Sequence, residues 1–198
     1  MVGFWPGGDR DGNPYVTHDV TKKVADKLQN SILKCYNRDI RKVRRRLTFN
    51  HVEPFLLLAE RRLYHTLYGG EDKLSSKEEL LEILYEARKG IIEHHEGLFL
   101  ELLDGFILKI KIFGFHFASM DVRQDSRQHD ELWEGIVAHQ EGEEGLQTFR
   151  KMEELERIDK VLSVAQLPDA ESMEEPFHVE MLKSISSIAY IQEKNGEM

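Results

Sequence analysis

The feature that most constrains the fold is the loop sequence Trp5-Pro6-Gly7-Gly8-Asp9-Arg10-Asp11-Gly12-Asn13-Pro14 near the start of the chain. Gly and Asn tolerate positive φ and Pro fixes its own φ, so the backbone must turn sharply here in a defined shape. Apolar residues precede the loop, and a helical pattern begins at Thr17. This order predicts a strand, a tight loop and a helix, in which backbone N–H groups stay free to bind an anion. A purely structural turn is the alternative.

A long amphipathic helix is predicted from Thr17 to Leu47. Its apolar residues recur at spacings of three and four, and neither Pro nor Gly interrupts them. The C-terminal part of this helix is strongly basic, with Arg38, Arg41, Lys42, Arg44, Arg45 and Arg46. This cluster could bind phosphate or nucleic acid, or it could be a solvated face whose cations favour the helix C-terminus.

Three further helices are predicted before residue 113. Asn50 is expected to cap the second helix, which ends at Gly69 because glycine readily terminates helices. Ser75 or Ser76 opens the third helix in a capping box. The residues Leu98–Ile112 form a fourth helix that is apolar enough to be largely buried.

A second strand is predicted over Phe115–Val122, where aromatic and small residues follow a period of two. Polar residues, including Asp121, Arg123, Gln124 and Asp125, crowd its C-terminal end. This is the end at which α/β barrels carry their catalytic groups. The strand therefore indicates a second candidate for the functional rim.

The two strand ends offer two arginines, Arg10 and Arg123, that could present guanidinium groups to a phosphate or carboxylate. Four carboxylates are expected to hold them in place, namely those of Asp9, Asp11, Asp121 and Asp125. The alternative is that these charged residues only pair with one another and brace the rim.

Two sequence strings resemble the phosphoenolpyruvate carboxylase family. Residues 3–17 resemble its signature Trp-x-Gly-Gly-Asp-Arg-Asp-Gly-Asn-Pro-x-Val-Thr, and residues 120–129 are similar to its Leu-Asp-Ile-Arg-Gln-Glu-Ser-x-x-His. The chain departs from the family at Pro6, where a larger apolar residue is usual, and at Asp125, which replaces Glu. Neither departure changes the sign of a charge.

The resemblance implies a mainly α fold, a helical piece of a (β/α)8-barrel enzyme with at most two short parallel strands. The chain is then a single partial domain over residues 1–198. It divides into a strand–loop motif (1–16), a helical crossover (17–112), a strand with the arginine motif (113–130) and an acidic helical region (131–198).

The resemblance also implies a reaction, the carboxylation of phosphoenolpyruvate by bicarbonate to oxaloacetate and phosphate, through carboxyphosphate and an enolate. Arg123 is then a catalytic residue and phosphate ligand, and Trp5 forms a wall of the apolar CO₂ pocket. The substrate-binding rim comprises Arg10, in a role that is more structural, together with Gly7, Gly8, Asp9, Asp11 and Asn13.

The family implies Mg²⁺ or Mn²⁺, but its metal-binding carboxylates, catalytic histidine and Gly-Arg-Gly-Gly loop have no counterparts in this sequence. No metal ligand is therefore assigned, and the chain is expected to be an interior segment that is inactive without the rest of the carboxylase polypeptide. The alternative is a non-catalytic helical binding module that keeps the rim motifs as scaffolding.

The charge and the apolar content of the chain limit the kinds of binding partner that it can have. The net charge is −9, and residues 130–198 hold 6 Lys and Arg against 17 Asp and Glu, which argues against general nucleic-acid binding. No run of residues is long and apolar enough for a membrane span, and the one cysteine fits a reducing cytoplasm. A cut barrel exposes strand edges and apolar surface, so a homo-oligomer is possible.

Overall fold

Helices account for most of the chain in a computed structural model that describes residues 3–11 and 13–195. Within these residues, two short strands pair in parallel in one sheet. The helices are α1 His18–Arg46, α2 Glu53–Tyr68, α3 Lys77–His95, α4 Leu100–Phe113, α5 Ser126–Lys151, α6 Glu154–Ser163 and α7 Pro176–Asn195, and the strands are β1 Gly3–Phe4 and β2 Ser119–Met120. The prediction of a mainly helical chain with at most two short parallel strands is thus confirmed for this part of the chain. The barrel around it stays a prediction.

The chain divides into two compact units. The first comprises the described residues up to Phe4 together with Ala25–Ser119, and the second comprises Trp5–Val24 together with the described residues from Met120 onward. The helix α1 begins in the second unit and continues into the first. The boundaries predicted from the sequence at residues 17, 113 and 131 stay predictions.

The first unit has one continuous apolar core. Helix α2 packs on α3, and α3 packs on α4. The fully buried side chains include Tyr36, Ile40, Leu56, Leu84 and Ile110. The Tyr36 hydroxyl donates a hydrogen bond of 2.7 Å to the carbonyl oxygen of Gly114, and burial raises the pKa of this hydroxyl. The periodic apolar residues of the sequence therefore do form a core, as predicted.

Two details of the first unit differ from the sequence predictions. The residue at the N-cap of α2 is Val52 and not Asn50, because Pro54 fixes the helix start close to itself. Helix α4 is buried on one side only, since Leu108 and Ile112 are 56% and 54% exposed. Neighbouring helices of this unit cover only the opposite face of α4.

The second unit contains a smaller apolar cluster. Its buried residues are Leu132, Ile136, Met173, Met181 and Leu182. They come from α5, α7 and the short 3₁₀ turn region that precedes α7. Helix α5 has a kink at Gly142, where φ is 72°, between two helical stretches. None of the helices among the described residues is long and apolar enough to cross a membrane.

Candidate functional site

The loop after β1 and the segment after β2 are joined through their backbones in the second unit. The carbonyl oxygen of Gly8 accepts a hydrogen bond of 2.9 Å from the N–H of Arg123. The N–H of Arg10 donates one of 3.0 Å back to the carbonyl oxygen of Arg123, so that Asp9 and Arg123 form a parallel β-bridge. The structure thus brings together the two motifs that the sequence separates by more than a hundred residues.

Glycine is required at two positions of this loop. Gly7 has φ of 85°, in the region that disfavours side chains, and its carbonyl oxygen accepts a hydrogen bond of 2.7 Å from the Thr21 hydroxyl. At Gly8, a Cβ atom would lie 2.1 Å from the carbonyl oxygen of Asp121. Only glycine at position 8 therefore lets the two backbones approach closely enough to pair.

The expectation that the loop keeps its N–H groups free for an anion is wrong for three successive residues. The N–H groups of Gly8 and Asp9 both donate to the carbonyl oxygen of Trp5, over 2.9 and 3.1 Å, and that of Arg10 is used in the bridge to Arg123. The N–H groups of the tight turn are thus bonded to backbone carbonyl oxygens. These three N–H groups are therefore not available to an anion at this rim.

Arg10 is buried and bound to α7. Its side chain is 8% exposed; Nη2 donates to Oε1 of Glu180 over 2.9 Å, and Nη1 donates to the hydroxyl of Ser184. Glu180 also accepts a hydrogen bond of 2.7 Å from the backbone N–H of His18, and its Oε2 lies 2.5 Å from His18 Nδ1. Arg10 thus ties the loop to α7 and to the start of α1.

The electrostatics of this network favour the ionised carboxylate. Burial alone would raise the pKa of Glu180, but the hydrogen bonds from His18 and Arg10 outweigh it, so that this pKa lies below its ordinary value. The expected carboxylate partners in the sequence motifs do not provide this pairing. Asp125, for example, caps α5 by accepting a 2.9 Å hydrogen bond from the Arg127 N–H.

Arg123 has the opposite environment to Arg10. Its side chain is exposed, and it forms no salt bridge with any residue that the structure describes. Only its backbone is fixed, by the two hydrogen bonds to the loop. The backbone of Arg123 therefore lies at the rim, and its guanidinium group has donors available to a ligand.

The remaining predicted site residues lie in the same loop. Trp5 is 58% exposed, and Asp11 is exposed as well. Asp9 is partly buried beside the bridge. The side-chain oxygen of Asn13 accepts a hydrogen bond of 3.1 Å from the N–H of Tyr15, which shapes the turn toward α1.

A groove of about 360 Å³ lies next to this loop within the second unit. Two buried polar atoms without a hydrogen-bond partner belong to residues of its lining, Nε of Arg10 and Oε1 of Gln124. The other lining residues are Asn13, Pro14, Val16, Gln128, Phe177, Glu180 and Met181. Each is therefore a buried, unsatisfied polar atom of a residue that lines the groove.

Sequence reasoning missed Glu180, Ser184 and Gln128 as members of this region. The acidic character of the last third of the chain was visible, but no local pattern distinguishes Glu180 from the other carboxylates there. Its partner Arg10 is 170 residues away in the chain. Gln128 lies within the second motif, at a position that the family signature leaves open, and could have been included by its spacing on α5.

The described residues do not suit a catalytic divalent cation. No group of three or more His, Cys, Asp or Glu side chains among them could hold a metal ion. Asp9 and Asp11 are two apart in the loop, and no third ligand joins them within residues 3–11 and 13–195. The Mg²⁺ or Mn²⁺ that the resemblance implies does not fit the residues that the structure describes.

Comparison with known proteins extends these observations to a family. The sequence model of phosphoenolpyruvate carboxylase matches residues 1–63 and 57–196 of this chain. The chain belongs to the phosphoenolpyruvate carboxylase family. It is 31% identical over 164 residues to the phosphoenolpyruvate carboxylase of Acinetobacter baumannii and 32% identical over 164 residues to that of Acinetobacter baylyi. In both comparisons the alignment covers 68% of this chain.

The chain is much shorter than its relatives in the family. It spans 18% of the length of each of the two Acinetobacter carboxylases, and also 18% of the Aeromonas salmonicida enzyme, to which it is 26% identical over 167 residues. The segment thus corresponds to one part of a phosphoenolpyruvate carboxylase, and both arginine motifs lie within the matched residues.

Proposed function

We propose that this chain is the part of a phosphoenolpyruvate carboxylase that presents Arg123 to the phosphoryl group during carboxylation of phosphoenolpyruvate by bicarbonate to oxaloacetate and phosphate. One observation carries the proposal: the guanidinium group of Arg123 is exposed and unpaired among the described residues, while its backbone is fixed by two hydrogen bonds to the glycine loop. Family membership supplies the reaction class.

Arg123 suits a migrating phosphoryl group for a physical reason. A guanidinium group can donate two parallel hydrogen bonds to phosphate oxygens, a geometry that an ammonium group cannot copy. Donors that are already positioned need little reorganisation when negative charge develops on those oxygens. The backbone pairing with Gly8 and Arg10 fixes the point from which the Arg123 side chain extends, which limits where its donors can lie.

The loop residues act around Arg123 in this proposal. Arg10 is a positioning residue because its guanidinium group is occupied by Glu180 and Ser184. Gly7, Gly8, Asp9, Asp11 and Asn13 shape the rim that the substrate meets. Trp5 presents an exposed indole ring, which would shield the reacting enolate and CO₂ from water once the rest of the carboxylase covers it.

We further propose that the chain is a carbon–carbon lyase only within the complete polypeptide. The described residues lack a group that could hold the family's Mg²⁺ or Mn²⁺, and the chain spans only 18% of its curated relatives. Its partners are then phosphoenolpyruvate, bicarbonate and the remainder of the carboxylase, in the cytoplasm. Exposed apolar residues such as Leu108 and Ile112 suit contact with that remainder or with a second copy of the chain.

The test is substitution of Arg123 in the complete carboxylase that contains this segment. Arg123→Ala should lower kcat by about a hundredfold or more, as expected for loss of one positioned donor. Arg123→Lys should be nearly as damaging because the paired donors are lost. The matched control is Arg127→Ala, which removes an arginine that is 88% exposed and four residues further along the chain.

Wild-type kcat/KM in both Arg123 variants would show that this residue only braces the rim. Trp5→Ala should instead release phosphate without forming the corresponding oxaloacetate, because water reaches the enolate. The isolated chain should form no oxaloacetate with Mg²⁺ or Mn²⁺ in a coupled assay. Turnover above that of its own Arg123→Ala variant would contradict the segment proposal.

A further inference from the structure

The C-terminal half of α1 carries a cluster of cations away from the loop that carries Arg10 and Arg123. Five cations, at positions 34, 38, 41, 42 and 45, follow the three- and four-residue spacing of one helical face. They line a groove of about 340 Å³ in the first unit, together with Asn37 and with Tyr68 at the end of α2. The five cations are Lys34, Arg38, Arg41, Lys42 and Arg45. The groove that they line is called the basic groove.

Acidic neighbours neutralise only part of this charge. Arg41 is paired with Glu60 over 3.0 Å. Arg38 and Lys42 approach Asp39 only to 3.9 and 3.8 Å, and the carboxylate of Asp39 is bound more closely by Lys109 at 2.8 Å.

Lys34 and Arg45 form no salt bridge with any residue in the described part of the chain. The basic groove therefore keeps a positive excess in a chain whose net charge is −9. A helix face that is only solvated does not require several cations in one concave region, because like charges repel one another there.

Asn37 provides a second, independent indication of a ligand. Its side chain is among the few buried polar ones, with the residue 5% exposed, and its Oδ1 has no hydrogen-bond partner. It lines the groove beside the cations. A buried amide without a partner lowers stability, and a leucine of similar size would avoid this cost. A ligand in the groove would supply the missing hydrogen bond.

We propose that the basic groove binds a small molecule that carries a phosphate or pyrophosphate group. The guanidinium groups of Arg38 and Arg45 and the ammonium group of Lys34 bind the phosphate oxygens. Asn37 binds a hydrogen-bonding group of the same molecule, and the ring of Tyr68 covers its less polar part. The volume of the groove falls within the range of small-molecule sites. This site is independent of the reaction assigned to Arg123.

The experiment uses the 198-residue chain and measures binding of pyrophosphate and of glycerol phosphate by titration calorimetry. Lys34→Gln and Arg45→Gln should each raise the Kd for pyrophosphate by about tenfold, as expected for one charge-assisted contact. The matched control is Lys27→Gln, which removes an exposed cation two turns earlier on the same helix. It should leave the Kd within about twofold, since only long-range charge is lost.

Asn37→Leu separates a binding site from a purely structural one. The variant should melt at the same or a higher temperature than the parent chain, because an unpaired buried amide is removed, and it should bind glycerol phosphate about tenfold more weakly. Equal Kd values for Lys34→Gln and Lys27→Gln would overturn the proposal and leave a solvated face. Absence of binding at millimolar pyrophosphate would overturn it too. Binding of duplex DNA that pyrophosphate does not displace would assign the groove to nucleic acid instead.

Discussion

The first unit is held together by apolar contacts, whereas the second depends on a buried charge network beside a small apolar cluster. In the first, fully buried residues such as Leu56, Leu84 and Ile110 form one continuous core. In the second, Arg10, Glu180 and His18 join the loop, α7 and the start of α1. Apolar contacts are non-directional and tolerate displacement, but an ion pair with hydrogen bonds fixes a position. The unit that carries the candidate catalytic arginine is therefore the one with the directional network.

The largest effect is expected for the apolar core. Leu56→Ala should lower the free energy of unfolding of the first unit by about 2–5 kcal/mol, because Leu56 is fully buried and the change leaves a cavity. Hydrogen exchange in peptides of Ala25–Ser119 is the measurement. The neighbouring Leu57→Ala is a matched control, since Leu57 is 53% exposed. Equal losses from the two variants would mean that the apolar core does not dominate this unit.

The second prediction concerns the charge network. Glu180→Ala should destabilise the second unit by about 2–3 kcal/mol, somewhat less than a fully buried pair, because it leaves Arg10 buried without a partner while Glu180 itself is 30% exposed. The two tryptophans, Trp5 and Trp133, both lie in this unit, so their fluorescence reports its unfolding.

Glu171→Ala provides the comparison for Glu180→Ala. Glu171 is 73% exposed and pairs with Lys183, so its loss should cost less than about 1 kcal/mol. Replacing Arg10 and Glu180 together, as Arg10→Met with Glu180→Leu, should restore part of the stability that Glu180→Ala removes. A double variant that is less stable than Glu180→Ala would contradict this account of the network.

The same contrast explains how much of the fold could be predicted from the sequence. The helices of the first unit were predicted to within a few residues, because their apolar spacing and the cap at Ser76 are local signals. The cap of α2 was wrongly placed at Asn50, since propensity alone does not show that Pro54 sets the start. Helix signals therefore suffice where stability comes from neighbouring turns and a common apolar face.

The candidate site could be predicted only in part. The sequence indicates the glycine loop and the two arginines as site residues. It does not show that the two arginines have different environments. Arg10 and Arg123 both stand beside aspartates in similar strings, yet Arg10 is buried on Glu180 and Arg123 is exposed. A partner that is 170 residues away leaves no trace in local spacing. The roles of the two arginines thus depend on tertiary structure.

A third, smaller effect should appear on acidification. The pKa of Glu180 lies below its ordinary value in the folded chain, because hydrogen bonds from His18 and Arg10 outweigh burial. Its contribution to stability is therefore complete above the unfolded value of about 4.3 and is lost as the pH falls through the lower folded value.

The measurement is the unfolding free energy of the second unit, taken in one buffer series from about pH 6 to about pH 3. Glu180→Gln should flatten this dependence below about pH 4.3. Glu79→Gln in the first unit is the comparison, because the pKa of Glu79 is also lowered, chiefly by hydrogen bonds with Ser75, on a side chain that is 35% exposed. An unchanged slope in Glu180→Gln would show that this carboxylate does not link the second unit to pH.

The smallest effects are expected where the two units use the same local interaction. Ser76 caps α3 in the first unit by accepting a hydrogen bond from the N–H of Glu79, and Asp125 caps α5 in the second by accepting one from the N–H of Arg127. Ser76→Ala and Asp125→Ala should each cost about 1 kcal/mol, because a cap satisfies one backbone donor in either unit. Hydrogen exchange at the first turns of α3 and α5 measures both in one sample. Equal losses of stability in the two variants would mean that the units differ in their tertiary contacts and not in their caps. A loss for Asp125→Ala well above that for Ser76→Ala would show that the Asp125 cap also supports the segment that carries Arg123.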